Sequence, residues 1–328
     1  MDRELGTAVA ATIADWIGPV VSATVVFRTG EAARFSRFPG SAWRGAFGHS
    51  LKRLVCVMHL RPCEGCPLRN TCVFPQIFEP PVPAAAPILT NYRSAPTAFV
   101  LDPEETPAPG RYAEGEAIAV TLRMFGRMSG LAPYAVRALV DAAARGIGPD
   151  RARLAPILLK AGLGSDLSPA RPFDPDAASA VLAPLGLAVP RRPAAPVLLR
   201  FATPLRLRVK NDLVTPAGFR PSHLLGAAVR RASLLALFFG NGAPNLDFRA
   251  LQAAARNLEW AESSFHWVET TRRSARQQAI MQMGGILGYA VLDLGGAPEL
   301  WPFLWLGQWL HVGKSSTMGF GRYRIAPT

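Results

Sequence analysis

The sequence has no cysteine outside residues 56–72, and it is short of acidic side chains: 23 Asp plus Glu stand against 36 Lys plus Arg. Cysteines confined to one short window do not make the disulfide framework of a secreted domain, which needs partners spread along the chain. The start of the chain carries Asp2, Glu4, Asp15 and Glu31 and has no basic stretch leading into an apolar run, so no secretory signal is read there. Long apolar runs are also lacking, since the best candidates are broken by Glu299, Pro302 and Gln308. Together these absences point to a cytoplasmic protein with no membrane partner. The formal charge of +13 favours a polyanion, because each neutralised phosphate releases condensed counterions. With 49% apolar residues over 328 positions, the chain can bury the cores of two modest domains.

Proline punctuates the chain at 80–87, at 103–109 and at Val189 to Pro196 (V-P-R-R-P-A-A-P). Fixed φ and a missing donor make such stretches connectors, which places a boundary near residue 195, between domains 1–195 and 196–328. The halves begin alike. A strand-like run, Val20 to Arg28, precedes Pro39-Gly40-Ser41 and a helix from about Ala42 to Val57; another, from Pro196 to about Lys210, precedes Pro221-Ser222 and a helix from about His223 to Phe239. Serine at each N-cap would satisfy an orphan N–H. Ser41-x3-Gly45-x3-His49 also matches Ser222-x3-Gly226-x3-Arg230, as expected of a repeated strand–helix unit. Extended patterns at 263–270, 279–292 and 321–325, with an aromatic helix at 299–310, complete a strand, helix, strand, strand, helix, strand order. The fold class is therefore α+β, with tandem ferredoxin-like domains. The first domain would carry two insertions, one with the cysteines and one helical, from Tyr134 to Leu159.

Near the C-terminus Gly313, Gly319 and Gly321 permit positive φ and close backbone approach to a phosphate. Lys314 and Arg322 add charge, and Ser315, Ser316 and Thr317 add donors. Gly313-Lys314-Ser315 resembles the end of a P-loop, but that motif's first glycine would fall at Gln308, so the match fails. Arg272, Arg273 and Arg276, between strand-like runs, are either a solvated loop or a second track for phosphate and sugar.

On a helical wheel Trp43, Phe47, Leu51 and Leu54 form an apolar stripe, with Gly45, His49, Lys52 and Arg53 opposite. His49 and Lys52, three residues apart, could reach one phosphodiester, the first as proton-transfer group and the second as charge stabiliser. An exposed histidine without a role is the plain alternative. His311 and His266 stand among aromatics and read as core histidines, and nothing selects Tyr289 or Tyr323. The cysteines run Cys56-x6-Cys63-x2-Cys66-x5-Cys72, a set able to close a structural zinc site. An iron–sulfur cluster is the second reading, with His59 a substitute ligand for zinc and four reduced thiols the alternative without metal. A zinc-containing DNA-binding regulator is disfavoured, because the cluster lacks the paired histidines of a classical finger and no recognition helix follows.

The segments S-A-R-Q-Q-A-I-M-Q-M-G-G-I-L-G and H-V-G-K-S-S-T-M-G-F-G-R-Y, with the aromatic helix between them, resemble the CRISPR repeat-processing endoribonucleases of the RAMP superfamily (the Cas-six type). P-G-S-A-W-R-G-A-F-G and the cysteine cluster resemble a subgroup of that family. The resemblance implies tandem ferredoxin-like domains, binding of CRISPR repeat RNA, and cleavage without a metal by the ribose 2′-OH, giving a 2′,3′-cyclic phosphate and a 5′-OH. It also implies a catalytic histidine on the first helix, for which His49 is the match, and RNA contacts from the glycine loop, the arginine stretch and Arg230. A non-catalytic RAMP subunit that holds CRISPR RNA beside effector-complex subunits is the alternative function.

Overall fold

The structure, a computed structural model, describes residues 13–82, 95–108, 110–163, 168–175, 177–242, 245–274 and 279–327. It divides into two compact units, Pro19–Leu185 and Gly186–Thr328, and the segment ending at Gly18 belongs with the latter. The division thus falls before the proline-rich connector rather than near residue 195. Hydrogen bonds explain the assignment: Trp301 Nε1 donates to Pro190 O at 2.7 Å, and Asn241 donates from its side chain to Asp15 O and from its backbone to Trp16 O.

In the first unit β1 (Val20–Thr29) is central, antiparallel to β3 (Ala117–Phe125) on one side and β4 (Leu154–Ala161) on the other. The edge strand β2 (Phe99–Pro103) pairs with β3, so the order is β2-β3-β1-β4, with the two-residue strand Arg171–Pro172 added beside β4. Helix α1 (Gly40–Val55) follows β1, the short α2 (Val73–Phe78) follows the cysteine segment, and α3 (Ala132–Arg145) follows β3. Two α–β crossovers in one antiparallel sheet of this order make a ferredoxin-like unit. Val25 and Phe27 of β1 are fully buried, as are Trp43, Phe47 and Leu51 of α1 at four-residue spacing. Each such aromatic or leucine side chain contributes about 1.5–3 kcal/mol. On α3 the buried alanines 135, 138, 142 and 143 let α1 pack beside it. A buried pair, Arg123 on β3 and Asp102 on β2, joins neighbouring strands at 3.4 Å.

Three expectations are corrected here. Residues 134–159 are not a helical insertion: the helix stops at Arg145, and the chain returns as β4. The chain turns there: Gly146 and Gly148 both take positive φ, and a Cβ on Gly146 would meet Arg151 O at 2.2 Å as the chain comes back. The serines do not cap their helices. Pro39 stands at the first N-cap and Arg220 at the second, where Arg220 N donates to His223 Nδ1. Leu54 leaves the apolar stripe and is 45% exposed.

The second unit repeats the plan. Strands β5 (Val197–Leu205), β6 (Trp260–Val268), β7 (Gly285–Leu292) and β8 (Tyr323–Pro327) lie in the antiparallel order β6-β7-β5-β8. Helices α4 (Pro221–Phe239), α5 (Phe248–Arg256) and α6 (Trp301–Leu310) complete it. The strand-like run to Lys210 ends at Leu205; Arg208–Val209 and Asp212–Leu213 then form a separate hairpin, with Lys210 and Asn211 left-handed at its turn. The run 279–292 also splits. Ala279–Gln282 pairs with Thr271–Ser274, whereas β7 enters the main sheet, where a Cβ on Gly288 would meet Ser264 O at 1.9 Å. Among the described residues α4 alone has the length and composition to cross a membrane, but 56% of that stretch is buried in the unit.

Candidate nucleic-acid interface and active site

The loop Gly313–Arg322 is bound to the end of β5 and the residues that follow it. Lys314 N donates to Arg206 O at 2.8 Å, and Gly321 N donates to Pro204 O at 3.1 Å. Thr203 serves twice, donating its hydroxyl to Gly319 O and accepting from Arg322 N. Gly313, Ser315, Gly319 and Gly321 are all left-handed. A Cβ on Gly321 would meet Val312 O at 1.8 Å, and one on Gly313 would meet Arg206 O at 2.5 Å. Glycine is required here for packing of the loop's own backbone. Several amides expected to meet phosphate, those of Lys314, Gly319, Gly321 and Arg322 among them, already have protein acceptors. What the loop presents outward is Lys314, with Ser315, Thr317 and Arg322 half-buried and Ser316 buried.

Sequence reasoning missed the cations that adjoin this loop. Arg206 shares a backbone hydrogen bond with Lys314 and donates its guanidinium to Gly284 O. Burial, and then the neighbouring Arg208, lower its pKa from the usual guanidinium value. Arg208 and Lys210 are exposed on the hairpin that follows. The signal was three cations in five residues, Arg206-Leu207-Arg208-Val209-Lys210, running into the left-handed turn at Lys210 and Asn211. Arg230 is exposed on α4. Arg272 and Arg273 fall on the strand Thr271–Ser274, and Arg276 lies outside the described residues.

In the first unit His49 is exposed on α1. The position before it must be small, because a Cβ on Gly48 would strike the Phe78 ring, whereas beside Gly45 there is open space. Ser50, buried on the next position, donates to Asp141 of α3 at 2.6 Å, and Arg145 Nε donates to the same oxygen at 2.7 Å. Arg145 first, and then Ser50, hold the Asp141 carboxyl below the usual range. The helix bearing His49 is thereby tied to its neighbour. Lys52 is not turned toward a shared point with His49: its ammonium donates to Arg61 O at 2.8 Å and stands 5.6 Å from the Phe74 ring centre.

The four cysteines are free and half-buried. All line one cavity of about 280 Å³, together with Lys52, Arg61, Arg69 and Phe74. Burial pushes the Cys63 thiol up, against Lys52, which lowers it. The closed zinc site expected from the spacing is not formed by these side chains as they stand: among the described residues no three His, Cys, Asp or Glu are placed to hold one ion.

The other candidates separate by burial. His311 is fully buried, its Nδ1 3.2 Å from Phe320 O, as a core histidine should be. His266 is exposed on β6, contrary to the core reading, because β6 is a sheet-edge strand whose side chains from Ala261 to Ser264 are exposed as well. Tyr323 is buried and donates to Leu304 O at 2.5 Å, and burial raises its pKa far above the phenol range. Tyr289 donates to Glu262 at 2.8 Å, which raises it as well.

Residues 199–323, the second unit almost entire, match the family model of the CRISPR-associated endoribonuclease Cas6. The Cas6 family model thus covers the second unit of the chain and not the first. Residues 18–161 match a separate family model described as an N-terminal domain. Among solved structures, the chain is similar to a Cas6 product complex (14% identity, 94% of this chain and 99% of that one, TM-score 0.56). It is likewise similar to Thermus thermophilus Cas6 (14%, 94% and 98%, TM-score 0.50). A partial Cas6-RT-Cas1–Cas2 complex aligns over 95% of this chain and 47% of that one, at 14% identity and TM-score 0.59. At such identities the likeness concerns the fold, and it agrees with the two ferredoxin-like units described above. No curated protein matches the sequence.

Proposed function

We propose that this Cas6-type chain is the endoribonuclease that processes CRISPR precursor RNA by cutting within the repeat. The match of the second unit to the Cas6 endoribonuclease model, on a chain whose first unit exposes a histidine on α1, carries the reading. The second unit supplies RNA contacts through Lys314, Arg322, Arg206, Arg208 and Lys210, with Arg230, Arg272, Arg273 and Arg276 as further candidates. Cations of this kind position a phosphate backbone without reading its sequence.

In the first unit His49 takes the proton-transfer role. The ribose 2′-OH beside the scissile phosphate attacks phosphorus, the P–O5′ bond breaks, and the products are a 2′,3′-cyclic phosphate and a 5′-OH. No metal is needed, because nucleophile and phosphate belong to one molecule and an imidazole can both accept and donate a proton. Lys52 is the cation for the extra negative charge. Its hydrogen bond to Arg61 O does not preclude this, since an exposed contact of that kind contributes only about 1 kcal/mol and a phosphodiester can replace it. Zinc plays no part in this chemistry.

The test is His49→Ala with a cognate repeat RNA. Cleavage should fall by about two to four orders of magnitude, the range of general acid–base catalysis, with repeat affinity retained. Wild-type cleavage by the variant would remove His49 from the mechanism. A wild-type protein that binds the repeat and never cuts it would make the chain a non-catalytic RNA-holding subunit.

A further inference from the structure

The segment between α1 and α2 lacks any core of its own. Residues 56–72 form neither helix nor strand and are held by turns such as Cys66 N to Cys63 O at 3.2 Å and Cys72 N to Leu68 O at 2.8 Å. Its apolar side chains point outward: Val57 is 72% exposed, and Leu60 and Leu68 are exposed as well. His59 and Leu60 are both left-handed, a costly conformation for residues other than glycine. Apolar burial therefore does not explain why the segment keeps this shape.

What its parts share is sulfur. Cys56, Cys63, Cys66 and Cys72 all face one cavity, and the left-handed Gly65 makes the tight turn that brings Cys63 and Cys66 to the same wall. Lys52, Arg61 and Arg69 line that cavity too. Four thiolates around a dication leave about two negative charges over, and cations beside them offset that excess. A thiol-lined cavity edged with basic side chains is thus complementary to a metal–thiolate centre in both ligand type and charge.

We propose that these four cysteines bind a thiophilic metal centre that clasps the segment to the C-terminal end of α1. The form the geometry favours is an iron–sulfur cluster. A single zinc needs every sulfur about 2.3 Å from one point, whereas a cluster places its inorganic core between sulfurs set further apart. The cavity of about 280 Å³ has room for that core, and no three of the thiols converge on one ion. Lys52 lies on the cavity wall while belonging to α1, so the centre braces the helix that bears His49 without touching the reacting bond.

The test is metal and acid-labile sulfide analysis of the untagged full-length protein purified without oxygen, with its visible spectrum. About four iron and four sulfide per chain, with a broad absorption near 400 nm, are expected. One tightly held zinc per chain would also support a four-thiolate centre, in a contracted form. In either case Cys63→Ser with Cys66→Ser should lose the metal, and limited proteolysis should then cut within 56–72. Should that double variant fail to fold, the wild-type analysis decides alone. Stoichiometrically metal-free wild-type protein, with its four thiols titrating as free or paired as disulfides, would overturn the proposal. None of these readouts involves RNA, so the proposal can fail while the ribonuclease reading stands, and the reverse.

Discussion

Replacing Lys314, Arg208 and Lys210 together with alanine removes three exposed cations from one end of the second unit and should weaken RNA binding in a salt-dependent way. Each phosphate contact to a single strand contributes roughly 0.7 to the slope of log affinity against log salt. Losing three should therefore flatten the slope by about 2. Between 50 and 200 mM salt, the wild-type affinity should then fall by about 20-fold more than that of the variant. None of the three is buried, so the fold should survive, with unfolding midpoints close to wild type. The assay is fluorescence anisotropy across a salt series, using a repeat RNA whose scissile 2′-OH is replaced by hydrogen so that binding is read without cleavage. An unchanged slope, with affinity unaltered at every salt, would refute the placement of the interface on this loop and hairpin.

Two further substitutions test how the candidate regions are held. Gly321→Ala puts a Cβ at φ +73 and 1.8 Å from Val312 O, so it should destabilise the second unit by about 2 kcal/mol or more, read as a lower midpoint in thermal unfolding. Asp141→Asn tests the tie between α1 and α3. The Asp141 carboxyl is held low by Arg145 and Ser50, so its contribution to stability is complete above the ordinary Asp value of about 3.9 and is lost as pH falls through the lower folded value. Wild type should therefore lose stability relative to the asparagine variant as the solution is acidified below that range. Parallel stability curves through it would contradict the assignment.

The ferredoxin-like order was legible because its signals are local. Val-rich β1, the four-residue spacing of Trp43, Phe47 and Leu51, and the strand–helix start repeated in the second half each report their own burial. Two boundaries were not legible. The end of α3 depends on Gly146 meeting the backbone of Arg151, a contact formed only after the chain turns back, and the unit division depends on Asn241 bonding to residues far earlier in sequence. The glycine loop was legible as a turn, but not that its backbone packs against the end of β5 and so occupies several of its amides, and the cations from Arg206 to Lys210 beside it passed as an ordinary strand. Helical spacing put His49 and Lys52 within reach of one phosphodiester, but it carries no information about Arg61 O, to which the lysine ammonium is bonded instead. Cysteine spacing likewise located a shared cavity but not how widely the thiols stand apart within it.

The central claim, proposed above, is that this chain cuts repeat RNA through the RNA's own 2′-OH. The most direct measurement is incubation of the wild-type protein with a cognate repeat RNA in excess chelator, followed by mass analysis of the product ends. The account predicts one cut in the repeat, a 2′,3′-cyclic phosphate on the upstream fragment and a 5′-OH on the downstream one, with no cut when the scissile ribose is 2′-deoxy. A product ending in a 3′-OH and a 5′-phosphate, or cleavage that persists in the deoxy substrate, would contradict it.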